Sequence, residues 1–85
     1  MKIQTTKPFE RDYSALPEPI RKQAEKQLSL LLGDPRHPPL RVKKIKGHPY
    51  IWEGRITKNY RFTFQIVGDT YLLRRIGTHD TLKTP

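Results

Sequence analysis

The sequence predicts an α+β fold in which a twisted, mostly antiparallel sheet carries an N-terminal helical hairpin on one face. Two observations predict it. Apolar residues of the first half recur with helical spacing, and from Leu40 onward the hydrophobic period changes to two, the period of a strand. The predicted element order is β-α-α-β-β-β-β. The chain has 85 residues, so residues 1–85 are expected to form a single domain with a thin core.

Residues 1–5 are compatible with an edge strand, and the first helix is predicted directly after them. Thr6 can cap its N-terminus, and Pro8 is tolerated in the first turn, where the missing N–H costs nothing. Apolar residues then recur at i, i+4 and i+7, namely Phe9, Tyr13 and Leu16. Pro17 is expected to end this helix, because the residue before a proline is pushed out of the α region.

A second helix is predicted to begin at Pro17 or Glu18 and to stop at Gly33, with residues 34–39 as a loop. Its apolar stripe consists of Ile20, Ala24, Leu28 and Leu31. Charged residues occupy the opposite side, and a glycine followed by Pro35 is typical of a helix C-terminus. The two helices are therefore expected to turn their apolar stripes toward a common partner.

Four strands are predicted in the second half of the chain, over residues 40–47, 50–57, 61–67 and 70–77. The Gly68-Asp69 pair between the last two is a hairpin signal. Between the second and third, a loop of residues 58–60 pairs Ile56 with Phe62 and Trp52 with Ile66. This register separates the apolar from the charged side chains.

The predicted register therefore gives the sheet two different faces. The side chains expected to face the helices are Trp52, Ile56, Phe62, Phe64 and Ile66, and those expected on the open face are Glu53, Arg55 and Arg61. On the last strand, a two-residue turn would put Arg75 on the core face and a bulge would put it outside. Whether Arg74 or Arg75 faces the open side stays undecided from the sequence.

The charge is concentrated in the second half of the chain. The net charge is +9; residues 1–40 carry seven basic and five acidic side chains, and residues 41–85 carry ten and three. Such clustering predicts a polyanionic partner such as RNA. No cysteine is present, which excludes disulfides and thiol catalysis. The three histidines lack ligand spacing and no glycine-rich phosphate loop occurs, so neither a metal nor a cofactor is expected.

Several motifs in the second half give the chain a resemblance to a known family. They are "IKG" (45–47), "WEGRIT" (52–57), "YRFTF" (60–64) and "LLRRIGTHD" (72–80). With this spacing and element order, the chain resembles the RelE/ParE superfamily of bacterial toxins, most closely the YoeB-like and RelE-like ribonuclease branches. The resemblance implies a RelE-like microbial ribonuclease-type fold.

The resemblance also implies an activity. Relatives are toxins of type II toxin–antitoxin systems that cut messenger RNA in the ribosomal A site, without a metal, with the 2′-hydroxyl as nucleophile. Such an mRNA interferase is a hydrolase-type endoribonuclease that inhibits translation. The reaction needs a base for the 2′-hydroxyl proton, cations for the dianionic phosphorane, and an acid for the leaving 5′-oxygen.

Three residues are expected to be catalytic on this basis. Arg61 matches the arginine of the family's "YR" motif, which binds the scissile phosphate, and a guanidinium can donate two parallel hydrogen bonds to a phosphate. His79 matches the position of a catalytic histidine or arginine, and an imidazole can exchange protons near neutral pH. Glu53 can accept the proton, or it can instead orient the arginines as an ion-pair partner. In RelE-like relatives, lysines stand about where Trp52 and Gly54 fall.

The identity of the base stays open. In YoeB-like relatives the base glutamate falls near Lys43, and relatives of both branches often have a tyrosine where Asp80 follows His79. Lys46 and His48 are further alternatives for proton transfer. The residues expected to bind the RNA backbone are Arg55, Lys43, Lys46 and Arg75.

The expected partners follow from the same resemblance. They are a cognate acidic antitoxin laid over the sheet and helices, the ribosome and mRNA, and operator DNA only through the antitoxin complex. With no signal peptide or membrane span in view, a cytoplasmic protein without a membrane partner is expected. Two alternatives remain: a ParE-type gyrase inhibitor, and a catalytically degenerate basic module that binds RNA or the ribosome.

Overall fold

Five strands form one mixed sheet, and two α-helices pack on one of its faces. The computed structural model describes all 85 residues. The elements are β1 (Lys2–Thr5), α1 (Lys7–Ser14), α2 (Glu18–Gly33), β2 (Lys43–Ile45), β3 (His48–Arg55), β4 (Tyr60–Val67) and β5 (Thr70–Thr78), with short 3-10 helices at Pro38–Leu40 and Thr81–Lys83. The predicted fold class and element order are confirmed. None of the helices has the length and apolar character needed to cross a membrane.

The sheet order is β1-β5-β4-β3-β2. β1 pairs in parallel with β5 at one edge, as expected for residues 1–5, and every other pair is antiparallel. β4 is the central strand, and together with its neighbour β5 it supplies the middle of the core. The fully buried apolar side chains of these two strands are Phe62, Phe64, Leu73 and Ile76.

The first helix is fixed at its start by one side chain. Thr6 Oγ1 accepts a hydrogen bond from the Phe9 amide at 3.3 Å, as an N-cap residue does, and it donates to the Leu73 carbonyl at 3.0 Å. The helix ends at Ser14 rather than at Pro17. Leu16 is nevertheless buried, so its contact with the core is made just after the helix.

The second helix buries the predicted stripe together with one polar residue. Ala24 and Leu31 are fully buried, and Ile20 and Leu28 pack against the core. Gln27 lies on the same stripe and is 7% exposed. Its Nε2 donates to the Arg55 carbonyl at 3.0 Å and the Pro39 carbonyl at 3.4 Å, which ties this helix to the end of β3.

The strand predicted over residues 40–47 is shorter than expected. The 3-10 helix Pro38–Leu40 and left-handed Arg41 (φ 45°) replace its beginning, so β2 holds only three residues. Adjacent prolines fix φ and remove backbone donors, which favours a tight turn over a ladder. The turn still buries Leu40 completely.

The observed register of β3 and β4 differs from the prediction by two residues. Trp52 pairs with Phe64, and Gly54 pairs with Phe62. A shift of two residues keeps each side chain on its predicted face. The shift places the smallest residue opposite a buried ring, and a Cβ built on Gly54 would lie only 2.3 Å from Phe62 Cζ. Ile66, expected in the core, is 48% exposed at the end of the sheet.

Candidate active site

A cleft lies on the outer face of the sheet, which is the face away from the helices. This cleft, here called the outer cleft, has a volume of about 510 Å³. The residues that line it are Lys43, Ile45, Glu53, Lys58, Asn59, Arg61, Thr78, His79, Asp80 and Leu82. The ladder explains why these residues meet. Lys43 pairs with Glu53, and Arg61 pairs with Gly77, so His79 follows the end of β5 beside the start of β4. All three residues predicted to be catalytic line this cleft, with one predicted RNA-binding lysine.

Arg61 is held against the loop that joins β3 to β4. Its Nη1 donates to the carbonyls of Thr57 at 3.0 Å and Lys58 at 3.3 Å, and its Nε lies 3.8 Å from Glu53 Oε1. The carbonyls fix the plane of the guanidinium, while Nη2 makes no hydrogen bond within the chain. Arg61 is therefore a fixed cation with donors that a bound phosphate can use.

Glu53 is the carboxylate at the centre of the outer cleft. Its Oε1 lies 3.6 Å from Lys43 Nζ and 3.8 Å from Arg61 Nε, and its side chain is 21% exposed. Both distances exceed that of a hydrogen bond, so the carboxylate balances two cations without being locked to either. A group in this position can orient Arg61 or accept a proton from a substrate.

His79 is exposed at the mouth of the outer cleft. It begins a tight turn in which the Leu82 amide donates to the His79 carbonyl at 3.2 Å. Asp80 adds a carboxylate that pairs with Lys83 at 3.6 Å. Lys58 and Asn59 line the cleft but were not predicted as site residues, since loop residues carry no periodic signal. Asp80 was noted only as the residue that replaces the tyrosine of relatives.

The predicted RNA-binding residues are only partly brought together. Lys43 lines the outer cleft, whereas Arg55 lies beside Arg41 and Lys58 in a neighbouring depression. Lys46 is exposed in the turn between β2 and β3. The basic surface therefore extends from the cleft along two sides.

The bulge alternative for the last strand is the one that the structure adopts. Thr63 pairs with Arg75 and Phe64 pairs with Leu73, so Arg74 is the extra residue. Arg75 is thereby turned away from the core, yet it points to α1, where its Nε donates to Asp12 Oδ2 at 2.6 Å. This hydrogen bond raises the pKa of Arg75 more than burial lowers it. Asp12 was not singled out from the sequence.

Part of the outer face is covered by the chain itself. Residues 79–85 fold back over it, and Thr63 beneath them has no exposed surface. The part of the face near Arg61 stays accessible as the outer cleft. No group of three His, Asp or Glu side chains is placed to hold a metal ion.

Proteins of known structure share this fold over nearly the whole chain. A chain of the RelB–RelE antitoxin–toxin complex from Methanococcus jannaschii is 26% identical, with a TM-score of 0.76 over 95% of this chain and 98% of that chain. YafQ from E. coli is 12% identical, with a TM-score of 0.80 over 95% and 96%. The YoeB/ParE toxin from Agrobacterium tumefaciens is 19% identical, with a TM-score of 0.78 over 93% and 99%.

These matches define the class: the chain has the fold of the RelE superfamily of toxins. The resemblance predicted from the sequence motifs is confirmed at that level. No protein-family model matches the sequence, and no curated protein sequence matches it either.

Proposed function

We propose that this protein is the toxin of a type II toxin–antitoxin module and acts as a ribosome-dependent mRNA endonuclease in the cytoplasm. One observation carries the proposal: a single cleft gathers a guanidinium, a carboxylate, an amine and an imidazole on the face that the helices leave free. These are the groups that metal-independent cleavage by the 2′-hydroxyl requires.

Arg61 binds the scissile phosphate in this proposal. Its guanidinium is already oriented by the Thr57 and Lys58 carbonyls, so little conformational entropy is lost when Nη2 donates to a phosphate oxygen. Lys43, whose side chain is 71% exposed, adds a second positive charge to the same cleft. Together these cations stabilise the extra negative charge that develops on the phosphorane.

Glu53 accepts the proton of the 2′-hydroxyl. The base glutamate of YoeB-like relatives falls near Lys43, and Lys43 is the direct cross-strand partner of Glu53. A carboxylate at position 53 therefore reaches the same cleft from the neighbouring strand. Trp52 and Gly54, where RelE-like relatives have lysines, pair with core phenylalanines, so lysines at these two positions would not reach the cleft.

His79 donates the proton to the leaving 5′-oxygen. It is exposed and lines the same cleft as Glu53 and Arg61, so the acid, the base and the phosphate-binding group all face one bound substrate. Arg55 and Lys46 lie outside the cleft and extend the contact along the RNA backbone by charge alone.

The test is cleavage of mRNA on programmed ribosomes, with the cut position mapped by primer extension. Arg61→Ala and His79→Ala are each expected to lower the rate by roughly 10²–10⁴-fold, as the loss of a true catalytic group does. Glu53→Gln is expected to lower the rate by a similar factor, because an amide cannot accept the proton of the 2′-hydroxyl. His37→Ala, at a histidine on the opposite side of the sheet from the cleft, is the matched control and should cut like the wild type.

Two results would contradict this function. A loss of less than roughly tenfold at both Arg61 and His79 would exclude the catalytic roles. Inhibition of DNA supercoiling by gyrase without any RNA cut would indicate the ParE-type activity instead, and ribosome binding with neither effect would indicate a degenerate module.

The antitoxin partner has a candidate docking surface on the opposite side of the sheet. A groove of about 610 Å³ is lined by apolar side chains that include Trp52 and Ile66, with Arg36 and Arg41 among its polar residues. Neither arginine makes a salt bridge within the chain. An acidic amphipathic segment complements this surface in both polarity and charge, and structural neighbours are found in antitoxin–toxin complexes.

The antitoxin proposal is tested with the acidic antitoxin that the proposal expects to be encoded beside this chain. Arg36→Glu combined with Arg41→Glu is expected to weaken the complex by roughly tenfold or more, because it replaces two attractions with repulsions. Arg11→Glu, an exposed helix position, is the matched charge reversal. Equal weakening by both would place the contact elsewhere.

A further inference from the structure

The chain after β5 folds back onto the sheet instead of leaving it. This C-terminal tail, residues 79–85, turns at once, and Thr81 sits over the strand. A Cβ built on Gly77 would lie 2.8 Å from Thr81 Cβ, so the approach requires a residue without a side chain at position 77. The first turn of the tail, which begins with His79, is thus packed directly on β5.

The far end of the tail is held by side chains from β4 and β5. The main-chain oxygen of Pro85 accepts hydrogen bonds from Arg74 Nε at 3.2 Å and from Thr63 Oγ1 at 3.3 Å. The Thr84 carbonyl accepts one from Arg75 Nη1 at 3.2 Å. Arg74 is itself oriented by Gln65, whose Oε1 accepts from its Nη1 at 2.7 Å. The tail is therefore fixed at both ends.

Asp12 on α1 completes this network. Its two oxygens accept from Arg75 Nε at 2.6 Å and Nη2 at 3.2 Å, and Oδ2 also accepts from the Ile76 amide at 3.2 Å. Two parallel charge-assisted bonds fix the plane of a guanidinium. Arg75 therefore joins a carboxylate of the helical hairpin to the Thr84 carbonyl of the tail.

We propose that Asp12 is a positioning residue, which anchors the tail through Arg75 and thereby holds His79 at the outer cleft. As far as it concerns cleavage of RNA, this inference rests on the proposed function. Asp12 does not line the cleft, so it acts only through its partner. Three of the five N–H groups of the Arg75 guanidinium already donate within the chain, and Asp12 occupies the edge that could bind a phosphate with two parallel bonds, which makes Arg75 part of the anchor.

The anchoring is tested on the free protein by NMR. Asp12→Asn replaces the carboxylate that accepts hydrogen bonds from the Arg75 guanidinium and from the Ile76 backbone N–H. The neutral side chain of asparagine cannot accept all of these bonds. We expect the Leu82 and Lys83 amides to exchange with solvent roughly tenfold faster or more. In the variant, the tail can open without breaking the charge-assisted bonds that hold it in the wild type. The His79 ring resonances should shift as well. Glu10→Gln, an exposed carboxylate on the same helix, should change neither, and unchanged β4 amides show that the variant is folded.

A second variant keeps the test decisive if Asp12→Asn does not fold. Arg75→Ala removes the partner through which Asp12 acts, and it should speed exchange in the tail by a similar factor. Exchange and His79 resonances that match the wild type in the folded variants would overturn the anchoring.

The positioning of His79 is tested by single-turnover cleavage on programmed ribosomes. Asp12→Asn and Arg75→Ala should each lower the rate at saturation by roughly tenfold or more, with the half-saturating concentration unchanged, because a misplaced acid slows the chemical step. The double variant should be no slower than either single one. A raised half-saturating concentration for Arg75→Ala alone would instead make Arg75 a phosphate ligand.

Two further outcomes separate this inference from the proposed function. A loosened tail with an unchanged rate would overturn the positioning role of Asp12. If the wild type cuts no RNA, the proposed nuclease fails, while the exchange rates and the His79 resonances still decide whether Asp12 anchors the tail.

Discussion

Gly54→Ala is expected to destabilise the protein although it adds a single methyl group. The Cβ would lie 2.3 Å from Phe62 Cζ and 2.5 Å from Cε1. Phe62 has no exposed surface, and its ring stacks on Phe64 at a centroid distance of 5.6 Å. The ring cannot move away without disturbing the core, so the clash must be relieved by strain in β3 and β4.

The magnitude follows from two opposing terms. Overpacking a well-packed core by one methyl costs about 1–3 kcal/mol. Replacing glycine by alanine also restricts the unfolded chain, which offsets about 0.4–1 kcal/mol of that cost. With the middle of each range, the net loss of unfolding free energy is about 1.3 kcal/mol, which lowers the melting temperature of a domain of this size by roughly 5–10 °C.

Thermal and urea unfolding followed by circular dichroism measure this loss. Gly33→Ala is the matched control, because nothing lies within 4 Å of a Cβ at that helix-terminal position. It should leave the stability unchanged or raise it. Gly54→Ala should cost less stability in the Phe62→Leu variant than in the wild type, because the smaller side chain relieves part of the clash. A Gly54→Ala variant as stable as the wild type would refute the claim that Phe62 leaves no room for a side chain at position 54.

Two further predictions concern the helices. Gln27→Leu leaves the Arg55 and Pro39 carbonyls without their donor and should lower the unfolding free energy, measured by urea unfolding, by about 1–3 kcal/mol. Gln23→Leu, at an exposed position of the same helix, should leave the unfolding free energy unchanged. An equal loss in both variants would contradict the hydrogen bonds assigned to Gln27. Burial and, to a smaller extent, the hydrogen bond to Glu25 raise the pKa of Tyr13. The folded protein therefore holds the phenolic proton of Tyr13 more tightly than the unfolded chain does. Stability should therefore fall as the pH rises above about 10, through the raised pKa; Tyr13→Phe should reduce this fall, and identical alkaline unfolding of both proteins would contradict it.

The sequence predicts the helices and the two faces of the sheet because both depend on local periodicity. The stripe of Ala24 and Leu31 is buried as expected. The register of β3 and β4 was wrong by two residues, yet Arg61 and Glu53 still reached the outer face because alternation has a period of two. What the pattern could not supply was the fit of Gly54 against a particular ring, which depends on three-dimensional packing.

The bulge at Arg74 and the role of Asp12 were beyond sequence reasoning for a different reason. A bulge changes the parity of every residue after it, and nothing local at Arg74 distinguishes it from Arg75. Asp12 and Arg75 are separated by 63 positions. The pairing of Asp12 with Arg75 depends on how α1 docks on β5, so the residue pattern within a single helix or strand cannot predict it.

The helical hairpin is coupled to the candidate site through the edge of β5. β1 pairs with β5 only from Thr70 to Leu73, so the rest of that edge has no neighbouring strand. Side chains of the first helical segment take the place of the strand. The Thr6 hydroxyl contacts the Leu73 and Arg74 carbonyls at 3.0 and 3.2 Å, and the Asp12 carboxylate accepts the Ile76 amide. Because unsatisfied backbone groups at such an edge are costly, docking of α1 and the path of β5 toward His79 must form together, and a partner that shifted α1 would alter the cleft without touching it.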